Sequence, residues 1–295
     1  MSTKISFITF TRNSGKRLKL LLENVKDVVD EVVVIDGYST DDTVEMAKSY
    51  GAKVFQRKPW GHVEPDRMFA LSKASYNWIL YLDDDELLGR KLKSELRDLV
   101  EKAERERYVA LSTIRVDYDK KCRQVVLGPY YNRQIRIYKK DKVLYRGVVH
   151  ELPIVDGKIL ELAEEYYILH YPSFPKSKLL FYAYLESLEY YYRHNTRSNI
   201  RKALWMFTPL SAPMIITYNT YHLVLKPIMK KTSYVNSCTI MRIINTFTLY
   251  EILVQTLTKF RGRRRELISK LISEHGLIRL LEHAVSYGVY NVKQD

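Results

Sequence analysis

Two kinds of apolar pattern alternate along the first half of the chain. Runs rich in β-branched and aromatic residues, Ile5 to Phe10, Glu31 to Asp36, Lys53 to Phe55 and Trp78 to Leu82, are separated by stretches with helical apolar spacing, Lys16 to Asp27, Asp41 to Tyr50 and Asp66 to Ser75. Runs such as Val32-Val33-Val34-Ile35 show no polar alternation, so both faces of those strands must be covered. This order predicts an α/β fold with a doubly wound, mainly parallel sheet. Ser39 to Thr43 offers hydroxyls and carboxylates to cap the second helix, and Gly51 lies where its C-terminal cap belongs.

A charged helix is expected from Gly89 to about Arg105, after which the pattern turns to β near 108–117, 124–127, 134–138 and 143–149. A further apolar run, 159–170, precedes Pro172 and Pro175, and from Lys176 the chain reads as helical to its end. A boundary near 175 thus separates an α/β domain, 1–175, from a helical region, 176–295.

Charge sharpens that division. The net charge of +14 is uneven: residues 1–170 carry 30 basic and 27 acidic side chains, residues 171–295 carry 18 and 7. Such a tail suits a polyanion, and its companions favour an anionic membrane surface over nucleic acid. Ala203 to Leu225 holds no Asp, Glu, Lys or Arg, contains Trp205, Phe207, Tyr218 and Tyr221, and is bracketed by Arg201-Lys202 and Lys226. Pro209, Pro213 and Asn219 argue against a span; amphipathic helices in the interface fit better, here and from Tyr234 to Leu257, ahead of the basic cluster Lys259 to Arg265. The competing reading is a set of buried helices with a solvated basic face. Cys122 and Cys238 stand alone, without the spacing of a zinc site or disulfide framework, and Met1 to Lys4 leads straight into a strand rather than a leader. A cytoplasmic protein, peripheral at the inner face of the cell membrane, is expected.

Candidate chemistry concentrates where strands end, because ligands of open parallel sheets bind beyond the strands' carboxyl ends. Those ends are Thr11-Arg12-Asn13, Asp36-Gly37-Tyr38-Ser39, Arg57 with Trp60, and Asp83-Asp84-Asp85-Glu86. Four adjacent carboxylates at a strand end call for solvent, a helix N-terminus or a hard cation. Neither GxGxxG nor GxxxxGK[ST] occurs, which disfavours a dinucleotide-dependent dehydrogenase and a P-loop phosphotransferase.

The segments Ile5 to Asn13, Asp30 to Val44, Asp66 to Leu71 and Trp78 to Glu86, with the later Arg133-x-x-Arg136 and Val149-His150-Glu151, resemble in order and content the family 2 glycosyltransferases of the GT-A fold. The branch most similar in look is that of the lipopolysaccharide core glucosyltransferases. The resemblance covers residues 5 to about 170. It implies a metal-dependent, inverting transfer of a sugar from a nucleotide-sugar donor to a glycan or lipid-linked acceptor. It also implies that Asp36 accepts a hydrogen bond from the base, with Thr9, Thr11 and Ser39 lining the same pocket. Arg67 would grip diphosphate oxygens. Asp85 would hold Mg²⁺ or Mn²⁺ with Asp83 as its partner on the metal, Asp83 also approaching the ribose or a metal-bound water; Asp84 departs from the family pattern and is expected to point into solvent. Glu151 would be the base that takes the acceptor proton. His150 and His170 compete as third metal ligand or phosphate donor, with His170 the choice for the metal; of Arg133 and Arg136, whose spacing puts them on opposite faces, Arg136 is the choice for the donor.

A sugar nucleotidyltransferase would need a glycine- and lysine-rich loop after the first strand, which Thr11 to Lys16 does not supply. A nucleic-acid-binding module using the basic tail is the reading from another class, and no nucleic acid is expected as a partner.

Overall fold

The computed structural model describes residues 3–59, 62–119, 124–127, 133–145 and 152–171. The chain divides into two compact units, one comprising Met1–Tyr118 with Asn132–Pro172, the other Asp119–Tyr131 with Ser173–Asp295. In the second unit the described residues form one strand, β7 (Gln124–Leu127). The expected helices beyond 176, the apolar stretches at 203–225 and 234–257 and both cysteines lie outside the described residues.

The first unit opens as the apolar pattern predicts: β1 (Ile5–Thr11), α1 (Gly15–Val25), β2 (Glu31–Asp36), α2 (Thr43–Ser49), β3 (Lys53–Gln56), α3 (Arg67–Lys73) and β4 (Trp78–Tyr81). There follow β5 (Glu86–Leu88), α4 (Arg90–Arg105), β6 (Tyr108–Asp119) and, past β7, β8 (Gln134–Lys139), β9 (Val143–Leu144), β10 (Ile154–Val155), β11 (Lys158–Glu161) and β12 (Tyr167–His170). The sheet runs β3-β2-β1-β4-β8-β6-β12-β5, with β11 beside β6. Its first four strands are parallel; β8 is antiparallel to both β4 and β6. The α/β class expected above holds, in a mixed sheet whose first, parallel half lies at the β3 edge.

Period-two alternation sorts the strand residues between two cores. Ile5, Phe7, Val34, Trp78, Leu80 and Leu82 pack with Leu18, Leu21, Leu22 and Val25 of α1 and Leu92, Leu96 and Val100 of α4. Ile8, Phe10, Val33, Ile35, Ile79 and Tyr81 face the other way, onto Ala70, Leu71 and Ala74 around α3. Each fully buried Leu or Ile contributes about 1.5–3 kcal/mol of hydrophobic stabilisation, so a one-residue slip of β1 would forfeit several at once. Gly51, at φ +73°, donates its N–H to the Lys48 carbonyl and closes α2 in the left-handed conformation expected of it.

Three expectations change. The acidic run leads first into a strand that the apolar pattern does not predict, Glu86–Leu88, antiparallel to β12, and the helix expected from Gly89 starts at Arg90. Pairing decides this, because Glu86 and Leu88 point inward while β12 supplies the backbone partners. Gly89 then lets the chains touch, since a Cβ there would lie 2.7 Å from the Tyr167 carbonyl oxygen. The run 159–170 is two strands, β11 and β12, both parallel to β6. The strand expected over 143–149 is described only as Val143–Leu144, paired with Ile154–Val155; residues 146–149 lie outside the described residues.

Candidate active site

Register lines up the carboxyl ends of the parallel strands. Thr11 is opposite Asp36, Asp36 is opposite Gln56, and β4 ends two residues before Asp83. Asp36 is wholly buried: Ser39 donates its hydroxyl (2.5 Å) and backbone N–H (3.0 Å) to it, and Gln56 its side-chain amide (3.1 Å). Ser39 also accepts the Asn13 N–H at 2.8 Å, tying the loop after β1 to that after β2. Tyr38 stands exposed between them at φ +56°, a left-handed conformation uncommon for a bulky residue.

The acidic run is divided by its surroundings. Asp83 receives Arg136 at 2.8 Å and the Tyr81 hydroxyl. Burial pushes its carboxyl up, but Arg136 and Arg67 outweigh burial and hold it well below the usual carboxylate range. Glu86 is wholly buried; it accepts Arg136 at 2.7 Å and the Asp83 N–H at 3.1 Å, and Arg115 lies 3.4 Å away. Asp84 does not point into solvent. It accepts the Thr11 hydroxyl at 3.2 Å, with Arg17 at 3.5 Å, and burial raises its carboxyl above the ordinary value. Those two partners beside its backbone draw it inward.

Asp85 faces His170, with Oδ2 3.6 Å from Nε2. The other imidazole nitrogen, Nδ1, lies 2.7 Å from Asp117 Oδ1. Burial lowers the affinity of His170 for a proton, but Asp117 and Asp85 reverse this and raise its pKa to about 9. Among the described residues no three His, Cys, Asp or Glu side chains form a ready-made cation site. The pair Asp85–His170 nevertheless fits a Mg²⁺ or Mn²⁺ ion that takes its remaining ligands from a diphosphate and water. Asp83, expected beside Asp85 on the metal, has its oxygens engaged by Tyr81 and Arg136.

Arg67 and Arg136 are both buried, their guanidinium carbons 4.5 and 4.7 Å from the centre of the Tyr81 ring, and Arg67 also lies 5.1 Å from that of Tyr145. Glu64, depressed to about 2 because His62 and Arg67 outweigh its burial, sits 3.9 Å from Arg67. Among the described residues three buried side-chain polar atoms lack a partner: Thr9 Oγ1, Arg67 Nε and Arg136 Nε. All belong to residues singled out from the sequence, and a buried donor or acceptor left unmet costs about 1–3 kcal/mol. Arg133, by contrast, braces the Ser112 and Leu162 carbonyls at 3.2 and 2.6 Å.

The structure thus gathers Asp36 with Ser39, Thr11 with Asp84, Arg67 and Arg136 with Asp83 around Tyr81, and Asp85 with His170. Glu151, His150 and Trp60 lie outside the described residues. Sequence reasoning passed over Asp117, Gln56 and Tyr81, and gave Glu86 of the acidic run no role of its own; of the three passed over, only Gln56, one residue past its expected strand, could have been found by extending the strand-end rule.

Residues 6–152 match the family model described as glycosyl transferase family 2. They place that stretch of the chain in the family. The chain is similar to an uncharacterized glycosyltransferase of Rickettsia felis, 31% identical over 170 residues, covering 57% of this chain and 60% of that protein. It is also similar to one of Rickettsia typhi, 32% identical over 173 residues, covering 57% and 58%. These matches thus span about 60% of the relatives' length. Among solved structures, the mannosyltransferase PcManGT of Pyrobaculum calidifontis, in complex with GDP-Man and Mn²⁺, is 13% identical with a TM-score of 0.49, covering 89% of each chain.

Proposed function

We propose that residues 1–175 bind a nucleotide-sugar donor and transfer its sugar, with inversion, to a hydroxyl of a glycan or lipid-linked acceptor. The observation that carries this reading is the convergence of Asp36, Arg67, Asp83, Asp85, Arg136 and His170 at one end of the sheet, in a chain of which residues 6–152 match family 2. In it, Asp36 and Ser39 face the base, with Thr9 and Thr11 beside them. Arg67 and Arg136, pre-set on Tyr81, lie ready to offset diphosphate charge. Asp85 and His170 would hold Mg²⁺ or Mn²⁺, which when bound stabilises charge on the departing diphosphate. The acceptor oxygen attacks the anomeric carbon as the bond from that carbon to the diphosphate oxygen breaks, and Glu151 takes the acceptor proton.

The partner reading extends this. Residues 176–295, with their excess of basic side chains and uncharged aromatic stretches, suit an anionic membrane surface, which would put the enzyme at the inner face of the membrane beside a lipid-linked acceptor. No described helix is long and apolar enough to cross a membrane.

Nucleoside diphosphate release from a panel of UDP-, GDP- and dTDP-sugars, with and without Mn²⁺ and with lipid extract as acceptor, tests the reaction. Metal-stimulated release with at least one donor is expected; no release and no donor-induced thermal shift would sink the proposal. Cosedimentation with anionic vesicles tests the tail, and binding should fall when Arg261, Arg263, Arg264 and Arg265 are neutralised.

A further inference from the structure

Asp117 belongs to no motif, yet it is buried and directed at the same point as the acidic run. Strand β12 lies between β6 and β5, and register brings His170 opposite Asp117 on one side and Glu86 on the other. The Tyr171 N–H donates to the Asp85 carbonyl oxygen at 2.8 Å, so the chain just after His170 is anchored to the residue whose carboxylate the imidazole faces. The ring is thereby held with Nδ1 2.7 Å from Asp117 and Nε2 turned toward Asp85.

This geometry selects a tautomer. An ionised carboxylate only accepts, so the bond to Asp117 puts a proton on Nδ1 and, in the neutral ring, leaves the Nε2 lone pair aimed at Asp85. Where a histidine ligates a metal, a carboxylate on its other nitrogen fixes the ring's orientation and raises its basicity, and losing that carboxylate typically weakens metal binding about 10–100-fold. We propose that Asp117 is a positioning residue that fixes His170 as the Nδ1–H tautomer and aims Nε2, together with Asp85, at a divalent cation. The inference rests on the metal-assisted reading above. The plain alternative is a strap joining β6 to β12, which would affect stability alone.

Two readouts on the full chain separate these. In ¹⁵N-histidine-labelled protein with saturating Mg²⁺, long-range ¹H–¹⁵N spectra, assigned by loss of the signal in His170→Gln, should show His170 protonated on Nδ1 alone. A proton on Nε2 overturns the proposal without recourse to any variant at 117. Mn²⁺ binding, read without donor as loss of the free-ion electron paramagnetic resonance signal, should weaken at least tenfold in Asp117→Asn. Asp117→Glu should recover part of the affinity, and Asp85→Ala should abolish binding. Wild-type affinity in a folded Asp117→Asn, with binding lost in Asp85→Ala, overturns the role of Asp117 and leaves the metal reading standing. If wild type and Asp85→Ala alike take up no Mn²⁺ to millimolar concentration, both fall.

Discussion

At the amino ends of β1 to β3 the carboxylates are met by dedicated partners. Glu31 accepts Ser6 and Lys53 at 2.5 Å each and the Ser75 hydroxyl and N–H at 2.6 and 2.7 Å, while Asp30 accepts Lys4, Arg97 and the Ile5 N–H. At the carboxyl ends partners are shared: Arg136 serves Asp83 and Glu86, His170 lies between Asp85 and Asp117, and Thr9, Arg67 and Arg136 each keep an unmet polar atom. Both ends are rich in acids. The difference is that one end is saturated by its own chain, as stability alone requires, while the other retains donors and acceptors that a ligand could satisfy.

Mutations should therefore separate activity from stability according to the end they touch. The largest expected effect is on turnover: Asp85→Ala should lower metal-stimulated donor turnover by about 10²-fold or more while leaving the melting temperature nearly unchanged, as follows if its charge serves a bound ion. Glu31→Ala should do the reverse, lowering the melting temperature and sparing kcat. Parallel loss of stability and turnover in both variants would erase the distinction between the two ends.

Next in size is Arg136→Met. Removing the guanidinium takes from Asp83 and Glu86 their closest counter-charge, leaving the more distant Arg67 and Arg115, and breaking such a buried pair typically costs about 3–5 kcal/mol, to be read from urea denaturation. If Arg136 served the ligand alone, the midpoint would hardly move.

How much of this was legible in the sequence follows from the range of each interaction. The parallel core was legible because β1, β2 and β4 announce themselves by local apolar runs, and the strand-end rule then led to Asp36 and the acidic run. β5 was not, because three residues with a buried Glu86 make no local pattern; only its pairing with β12, some eighty residues on, makes them a strand. Asp117 was hidden for the same reason, its partner lying 53 positions away. Asp84 was misjudged because inward partners, Thr11 and Arg17, come from the neighbouring strand end and α1 rather than from its own neighbours in sequence.

A smaller, pH-dependent effect belongs to the saturated end. The Glu31 carboxyl is depressed to about 2 from an ordinary 4.5, because Lys53 and the hydroxyls of Ser6 and Ser75 outweigh its burial. A group depressed on folding contributes stability that is present above its unfolded value and is lost as pH falls through its folded value. The stability gap between wild type and Glu31→Gln, about 1–3 kcal/mol at neutral pH for a lost set of charge-assisted bonds, should shrink from pH 5 downward and close near pH 2. Thermal melts across that range measure it, and a gap independent of pH would mean that the carboxylate's charge contributes nothing.

The smallest effect tests where Asp84 stands between the two ends. Arg17 reaches it at 3.5 Å but is 44% exposed, and an exposed pair of this kind is worth about 0–1 kcal/mol. Arg17→Ala should therefore shift the melting temperature by no more than a degree or two, leaving the Thr11 hydroxyl to hold the carboxylate. A larger loss would make Arg17 a dedicated counter-charge and move Asp84 to the saturated class that Glu31 represents. A negligible loss leaves Asp84 a carboxyl raised by burial beside Asp85, so that an arriving cation would draw on its charge as well.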